Sequence, residues 1–353
     1  MRPTSIKDIA QALGISIGTV DRALHGRSDI SAATRARVLK KAEELGYKPN
    51  IAARSLKLNR RLRIGVYFPR EIASFFDGLR GGVSDAAAAS SGVSVDLVFR
   101  TFPRLDEGDL ELLKADLHEN FDGILVAPGN PDHIGSMLNQ FARRDIPVIC
   151  VASDAPRSER LAAVTADAQT SGAIAAEIFS RTIHKTGQLA TFVGDLTTLD
   201  HAEKLRGFAA NLALFAPHLS LLPSVESHEK PTLAYRQAIA LLAKKPHPIG
   251  IYVSTANSMP ILRALEEKRL IGEIQVITTD LFPELLPYIE SGKVIATLYQ
   301  RPFAQGKTAL ELLLRYLVQG TAPETITRLA PHIILRSNLS LFTGYLKERE
   351  GER

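Results

Sequence analysis

Gly14-Ile15-Ser16-Ile17-Gly18 spells the G-x-S-x-G pattern of a hydrolase nucleophile elbow, a strained strand-to-helix turn that lifts a serine hydroxyl towards substrate. That chemistry needs a strand on its N-terminal side. Here Ile6, Ile9, Ala10 and Leu13 recur at helical spacing, so residues 5–13 form a short amphipathic helix and the elbow is a false match. Ser16 is better used as an N-cap, its hydroxyl accepting from the backbone N–H of Gly18 or Thr19. Gly14 supplies a left-handed turn. Beyond it Val20, Ala23 and Leu24 make an inward stripe, with Thr19 and Arg22 off the stripe and Ile17 and Gly18 at the helix start. Two short helices and a tight turn bring the start of the second helix into a DNA major groove. The bland alternative is a helical hairpin inside a core.

Other catalytic patterns are missing. The sequence holds no H-E-x-x-H, no Walker A motif and no G-x-G-x-x-G after its first strand. The nine histidines show no metal-ligand spacing. His184, His218, His228 and His247 fall near element ends and are expected to be exposed. The one cysteine, Cys150, lies in the apolar run Ile149-Cys150-Val151, which excludes a disulfide within the chain and predicts a buried, inert thiol. No enzyme, metal or cofactor is expected.

The elements around the first motif favour the groove-reading alternative. After the basic loop His25-Gly26-Arg27 comes a third helix, with Ser31 as N-cap, Val38, Leu39, Ala42 and Leu45 as apolar face, and Gly46 as stop. A helix-compatible run follows from Tyr47 to Leu56, then a basic connector at 57–63. The net charge of +5 hides an asymmetry: residues 1–63 carry fourteen Lys/Arg against five Asp/Glu, the remainder 29 against 33. Basic charge concentrated on a helix-turn-helix is the footprint of a polyanion partner. No apolar leader precedes the first helix and no apolar run approaches membrane-spanning length, so a cytoplasmic protein is expected.

From residue 63 the pattern changes. Short apolar runs at 63–68, 93–99, 123–127, 148–152, 189–193, 249–253, 276–279 and 294–298 alternate with amphipathic stretches such as 76–90, 168–181, 202–215, 232–243, 260–268 and 303–317. Such alternation makes a parallel sheet covered on both faces. About nine or ten strands are too many for one compact doubly wound sheet, so two similar lobes with a cleft between them fit better. In open α/β lobes ligands sit beyond the carboxyl ends of the strands.

Taken together, Ile6-Lys7-Asp8-Ile9-Ala10, Ser16, Thr19-Val20, Arg22, Thr34-Arg35, Val38, Gly46-Tyr47-Pro49-Asn50 and Ala53 to Leu56 resemble the signature of the LacI/GalR family of bacterial transcription regulators. The resemblance is specific over residues 4–58 and looser to about 342. It implies an all-α helix-turn-helix domain at 1–49, a hinge helix and linker at 50–61, and a two-lobed α/β domain like a periplasmic binding protein at 62–342, for effector binding and dimerisation. The N-lobe would hold about 62–165 and 299–325, the C-lobe about 166–298. The charged end, 347–353, is expected to fray.

The resemblance also implies a homodimer reading a near-palindromic operator. Ser16, Thr19 and Ser31 would contact phosphates, which position without specifying. Arg22 could read guanine N7/O6. Ile17 could touch a thymine methyl, whereas Gly18 reads nothing, so operator preference would rest on Arg22, Ile17 and DNA shape. Residues 50–56, with Asn50 and Ala53, would fold into a helix only on DNA, because seven residues are marginal alone. Leu56 would wedge into the minor groove at the central step, while Arg54 and Lys57 neutralise phosphates. For the cleft, the resemblance places Phe75 and Phe76 where rings cover a sugar face, one expected in the cleft and one in the core. Asp154 and Asp280 stand at acceptor positions, Gln300 on the crossing strand and Asn257 after another strand end. Lys204 stands where relatives usually have arginine and cannot make the same bidentate fork. Asp167 is expected to cap the helix that follows it. Carboxylates and amides beside aromatic faces suit a neutral polyhydroxylated effector, a sugar before a purine. Other readings of the same cleft are a sugar-binding transport protein and a sugar enzyme. Residues 1–56 oppose the first and the missing catalytic constellation the second.

Overall fold

The computed structural model describes residues 6–24, 30–45, 61–91 and 93–342. The expected basic loop His25-Gly26-Arg27, the proposed hinge with Asn50, Ala53, Arg54, Leu56 and Lys57, and the end 343–353 lie outside the described residues.

Among the described residues the N-terminal unit has three helices, α1 (Ile6–Leu13), α2 (Ile17–Leu24) and α3 (Ala32–Glu44). Gly14 takes φ +65°, and its N–H and that of Ile15 donate to Gln11 O at 3.4 Å and Ala10 O at 3.1 Å. These are the paired bonds of a Schellman stop, which satisfy the last carbonyls of α1. The turn ends on Ser16, whose Oγ accepts from Thr19 N at 3.0 Å. Ser31 repeats the cap on α3, accepting from Thr34 N at 3.2 Å. Each such cap contributes about 1 kcal/mol. Ile9, Ala10, Val20, Ala23, Val38 and Ala42 close the small core. Leu39 and Leu45, expected on the inner face of α3, stay exposed. Leu39 is rotated about 100° from Val38 around the helix, and Leu45 lies past the last helical residue.

The α/β unit contains two sheets. The first runs β12-β5-β4-β3-β1-β2, where β1 is Leu62–Pro69, β2 Val95–Phe102, β3 Gly123–Val126, β4 Val148–Val151, β5 Ala162–Ala166 and β12 Ile326–Leu329. All its pairings are parallel. Residues of β3, β4 and β5 are buried on both faces, as parallel strands between helix layers must be. Cys150 is among them, its thiol pushed up to about 12 by burial. The second sheet runs β13-β11-β10-β9-β6-β7, with β8 on β6. Here β6 is Gly187–Val193, β7 Leu219–Leu221, β8 Val225–Glu226, β9 Gly250–Val253, β10 Gln275–Thr279, β11 Ala296–Tyr299 and β13 His332–Ile334. Only β13 is antiparallel, to β11.

Three crossings join the lobes: after β5, after β11, and between β12 and β13. The return to the N-lobe therefore extends through β12, past the expected limit at 325. The chain then goes back, placing Ile334 and Leu339 in the C-lobe core.

The site depends on how two helices of the C-lobe cross, α7 (Ala168–Thr182) and α8 (Leu199–Phe215). A Cβ on Gly172 would fall 2.0 Å from Lys204 O, and one on Gly207 2.1 Å from Gln169 O. Only glycine at both positions lets the backbones approach this closely. Phe179 and Phe208 then seal the crossing edge to face, with centroids 6.1 Å apart.

Candidate functional site: a cleft between two sheets

In each lobe the strand order reverses beside the first strand, between β1 and β3 and between β6 and β9. Loops at the carboxyl ends diverge there and leave a crevice. One chamber is lined by residues that follow β1, β2, β3 and β4 of one lobe and β6, β8, β9 and β11 of the other.

The N-lobe wall is apolar. Ile72, at φ +56° before α4 (Ala73–Ala89), accepts at its carbonyl from Phe75 N and Phe76 N at 3.0 and 3.1 Å. A β-branched residue in this conformation is strained by about 1–3 kcal/mol. The tight turn puts Phe75 and Phe76 edge to face at 5.1 Å. Both line the chamber, which corrects the expectation of one in the cleft and one in the core. Ala152 (φ +68°) and Ser153 close this wall.

The C-lobe wall is polar, and its lysine is paired within it. Lys204 is fully buried. Its Nζ donates to Asp200 Oδ2 at 2.6 Å and to Ser254 O at 3.4 Å. One turn of helix separates the pair, so both face the chamber. His201 Nε2 lies 3.4 Å from Glu229 Oε1, and both Glu229 oxygens accept from Thr255 Oγ1 at 2.8 Å. Gly194 makes room: a Cβ there would lie 1.9 Å from Glu229 Oε1 and 2.3 Å from His201 Cε1. Thr198 donates across the cleft to Gly129 O at 2.8 Å, a direct tie between lobes.

Gln300 reaches the chamber from the crossing after β11. Asp280 stands behind it, accepting from Gln300 N at 2.9 Å and Nε2 at 2.7 Å. That leaves the amide oxygen of Gln300 as an acceptor for a ligand. Burial pushes the Asp280 carboxyl up to about 6 from 3.8. A carboxyl raised in the fold contributes stability that is present at low pH and lost as pH rises through about 6. The stability of the wild type minus that of Asp280→Asn is therefore expected to grow as pH falls from 7 to 4. The gain is at most about 3 kcal/mol. Urea unfolding at a series of pH values checks it; a flat difference would mean Asp280 stays ionised throughout.

Of the expected cleft residues, Phe75, Phe76, Lys204 and Gln300 line the chamber, whereas Asp154, Asn257 and Asp280 do not. Asp154 is held by both arms of Arg160, with Nη2 at 2.6 Å from Oδ2. Asn257 donates its backbone N–H to Thr255 Oγ1 at 3.2 Å. Asp167 caps α7 through Thr170 N at 2.9 Å. Asp200, His201, Glu229 and Thr255 went unnoticed in the sequence. Asp200 and His201 carried a usable signal, being at a helix start just after the end of β6. Glu229 sits after a two-residue strand and carried none. Of the histidines expected to be exposed, His184 and His228 are, and His218 and His247 are half-buried.

Among the described residues, Asp195, Glu226 and His228 place ligand atoms within 4.8 Å of one another. Asp195 Oδ2 already takes His228 Nδ1 at 2.7 Å, and Glu226 Oε2 accepts from Leu196 N at 3.0 Å. Those bonds read as loop anchoring.

On the helical unit, Ile17 and Gly18 are exposed at the start of α2. Arg22 Nε donates to Gly18 O at 3.1 Å, drawing the guanidinium towards that end of the helix. Ser16 and Thr19 pair their hydroxyls at 2.8 Å beside it. Polar, cationic and apolar contacts thus cluster within one helical turn.

The family models that match are "Bacterial regulatory proteins, lacI family" over residues 5–50 and "Periplasmic binding protein domain" over 64–322. The chain is 26% identical over 341 residues to catabolite control protein A of Priestia megaterium, covering 94% of this chain and 97% of that one. It is 24% identical over 339 residues to the HTH-type transcriptional repressor PurR of Photobacterium profundum, covering 95% and 98%. Among solved structures, the glucose-galactose binding protein GanP of Geobacillus stearothermophilus superposes with a TM-score of 0.72 at 22% identity. The match covers 79% of this chain and 99% of that one.

Proposed function

We propose that this chain, which belongs to the LacI family of bacterial regulatory proteins, is a homodimeric repressor whose hold on a near-palindromic operator is set by a small neutral polyhydroxylated effector. The site works in the cytoplasm, where the DNA is, and performs no chemistry on its ligand: its family is one of regulators and binding proteins. The observation that carries the effector class is the charge pairing in the chamber. Lys204 is matched by Asp200, and His201 lies against Glu229, so an anionic ligand would find no uncompensated cation. A ring edge-stacked on Phe75 and Phe76 with hydroxyls towards Asp200, Gln300 and Ser153 uses what the walls offer.

Effector closure would turn one lobe against the other, and residues 50–56 would carry that motion to the DNA through the order and spacing of two hinge helices. Coupling between such sites is typically ~1–3 kcal/mol, or roughly five- to a hundredfold in affinity. The test is a thermal-shift panel of neutral sugars, polyols and purines on the full chain, followed by fluorescence anisotropy on inverted-repeat DNA with each hit. Neutral polyols are expected to raise the melting midpoint, and Phe75→Ala to weaken that binding about tenfold or more. Stabilisation by purines alone would overturn the polyol reading, since the same phenyl pair can stack on a heterocycle.

A further inference from the structure

A second chamber adjoins the first. The two share Ser153 of the N-lobe and Asp200 of the C-lobe. Each of these residues carries a buried polar atom without a hydrogen-bond partner: Ser153 Oγ and Asp200 Oδ1. Buried polar groups are almost always satisfied. Two orphans from opposite lobes, at the neck between two chambers, mark a place where a bound molecule can supply the partners.

We infer that the effector is a two-unit neutral carbohydrate, a disaccharide or glycoside, with one ring against Phe75 and Phe76 and the second in the adjoining chamber. The inference deepens the polyol reading given above and rests on it. The neck chemistry fits a glycosidic link. An ether oxygen can only accept, and the Ser153 hydroxyl can donate to it. A carboxylate oxygen can only accept, and a sugar hydroxyl next to the link can donate to Asp200 Oδ1.

The second chamber differs from the first in having no aromatic wall. It is framed by the Asp154–Arg160 pair, Glu203 and Arg328. Burial holds the Glu203 carboxyl above its usual range. With Asp200, these groups comprise three carboxylates and two guanidiniums, so the chamber has no surplus positive charge for an acidic ligand. Forked guanidiniums and carboxylates are donors and acceptors suited to vicinal hydroxyls.

Isothermal titration of the full chain tests the idea with glucose, galactose, maltose, cellobiose, trehalose, melibiose, glucuronic acid and glucose 6-phosphate. One of the disaccharides is expected to bind at least tenfold more tightly than either of its single rings. Glu203→Ala and Arg328→Ala, both on the outer wall of the second chamber, are expected to weaken the disaccharide about tenfold more than the monosaccharide, the scale of one lost polar contact. If single rings bind as tightly as every disaccharide and both variants act equally on all, the second chamber takes no sugar unit, though the polyol reading survives. If the acidic sugars bind best, the chamber is an anion subsite and the inference is wrong. If no carbohydrate binds, both fall together.

Discussion

Replacing Asp200 by alanine is expected to cost the α/β unit about 3–5 kcal/mol, a large share of the stability of an ordinary domain. The reason is the position of its partner. Lys204 is 0% exposed, and its ammonium has Asp200 at 2.6 Å and one long contact to the Ser254 carbonyl. Removing the carboxylate strands a cation in a medium that cannot solvate it. Lys204→Met should cost less, because the Asp200 side chain keeps 9% exposure at the chamber whereas that of Lys204 keeps 1%. The double variant Asp200→Ala/Lys204→Met should recover most of the loss, since a well-packed apolar replacement of a buried pair is often neutral. Urea unfolding of the four proteins gives the cycle. A single Asp200→Ala variant within about 1 kcal/mol of wild type would show that the pair is wet and contributes little. Both Asp200 variants should also lose effector binding, because Oδ1 faces the neck of the cleft. A stable double variant that still binds would remove Asp200 from the recognition machinery.

The same pair shows what could be read from sequence and what could not. The helix-turn-helix was legible because every signal in it is local. Gly14 stops one helix, Ser16 starts the next, and Ile9, Val20 and Val38 each sit on the apolar stripe of their own helix. Strands β1, β3, β4, β9 and β10 were legible as apolar runs because parallel strands are buried on both faces. The short edge strands β7, β8 and β13 are two or three residues long and owe their place to neighbours far off in sequence, so no run announced them.

The cleft was legible by position, since ligands gather at strand ends, but not by partner. Asp154 has the residue type of a ligand acceptor, yet Arg160 six residues on takes both its oxygens. Asp280 has the same type, yet Gln300 covers it and becomes the group that faces the chamber. Carboxylate pairing is decided by side chains brought together in space. Residue type alone could therefore name the candidates for hydroxyl recognition and could not tell which would be left with an open lone pair. Phe75 and Phe76 were split between cleft and core because a helix usually buries one of two adjacent residues. The left-handed turn at Ile72 instead brings both to the chamber.

Operator binding should fall by ~10³-fold or more when salt is raised from 50 to 200 mM, the behaviour of a reader that neutralises six to ten phosphates. The excess of Lys/Arg in residues 1–63 makes this the largest effect on the DNA side. Within it, two kinds of variant should separate. Arg22→Ala removes the one side chain of α2 that can fork onto guanine, so it should cost about 1–3 kcal/mol and relax preference at one base pair of each half-site, leaving the salt slope nearly as it was. Arg54→Ala, proposed to act on phosphate, should weaken all sequences alike and lower the slope by about one for each phosphate given up. Anisotropy titrations against the inverted repeat and against a scrambled duplex, at four salt concentrations, resolve slope from preference. Equal loss on both duplexes for Arg22→Ala would place that guanidinium on the backbone. Sequence choice would then fall to Ile17 and to the shape of the DNA, because Gly18 presents no side chain with which to read a base.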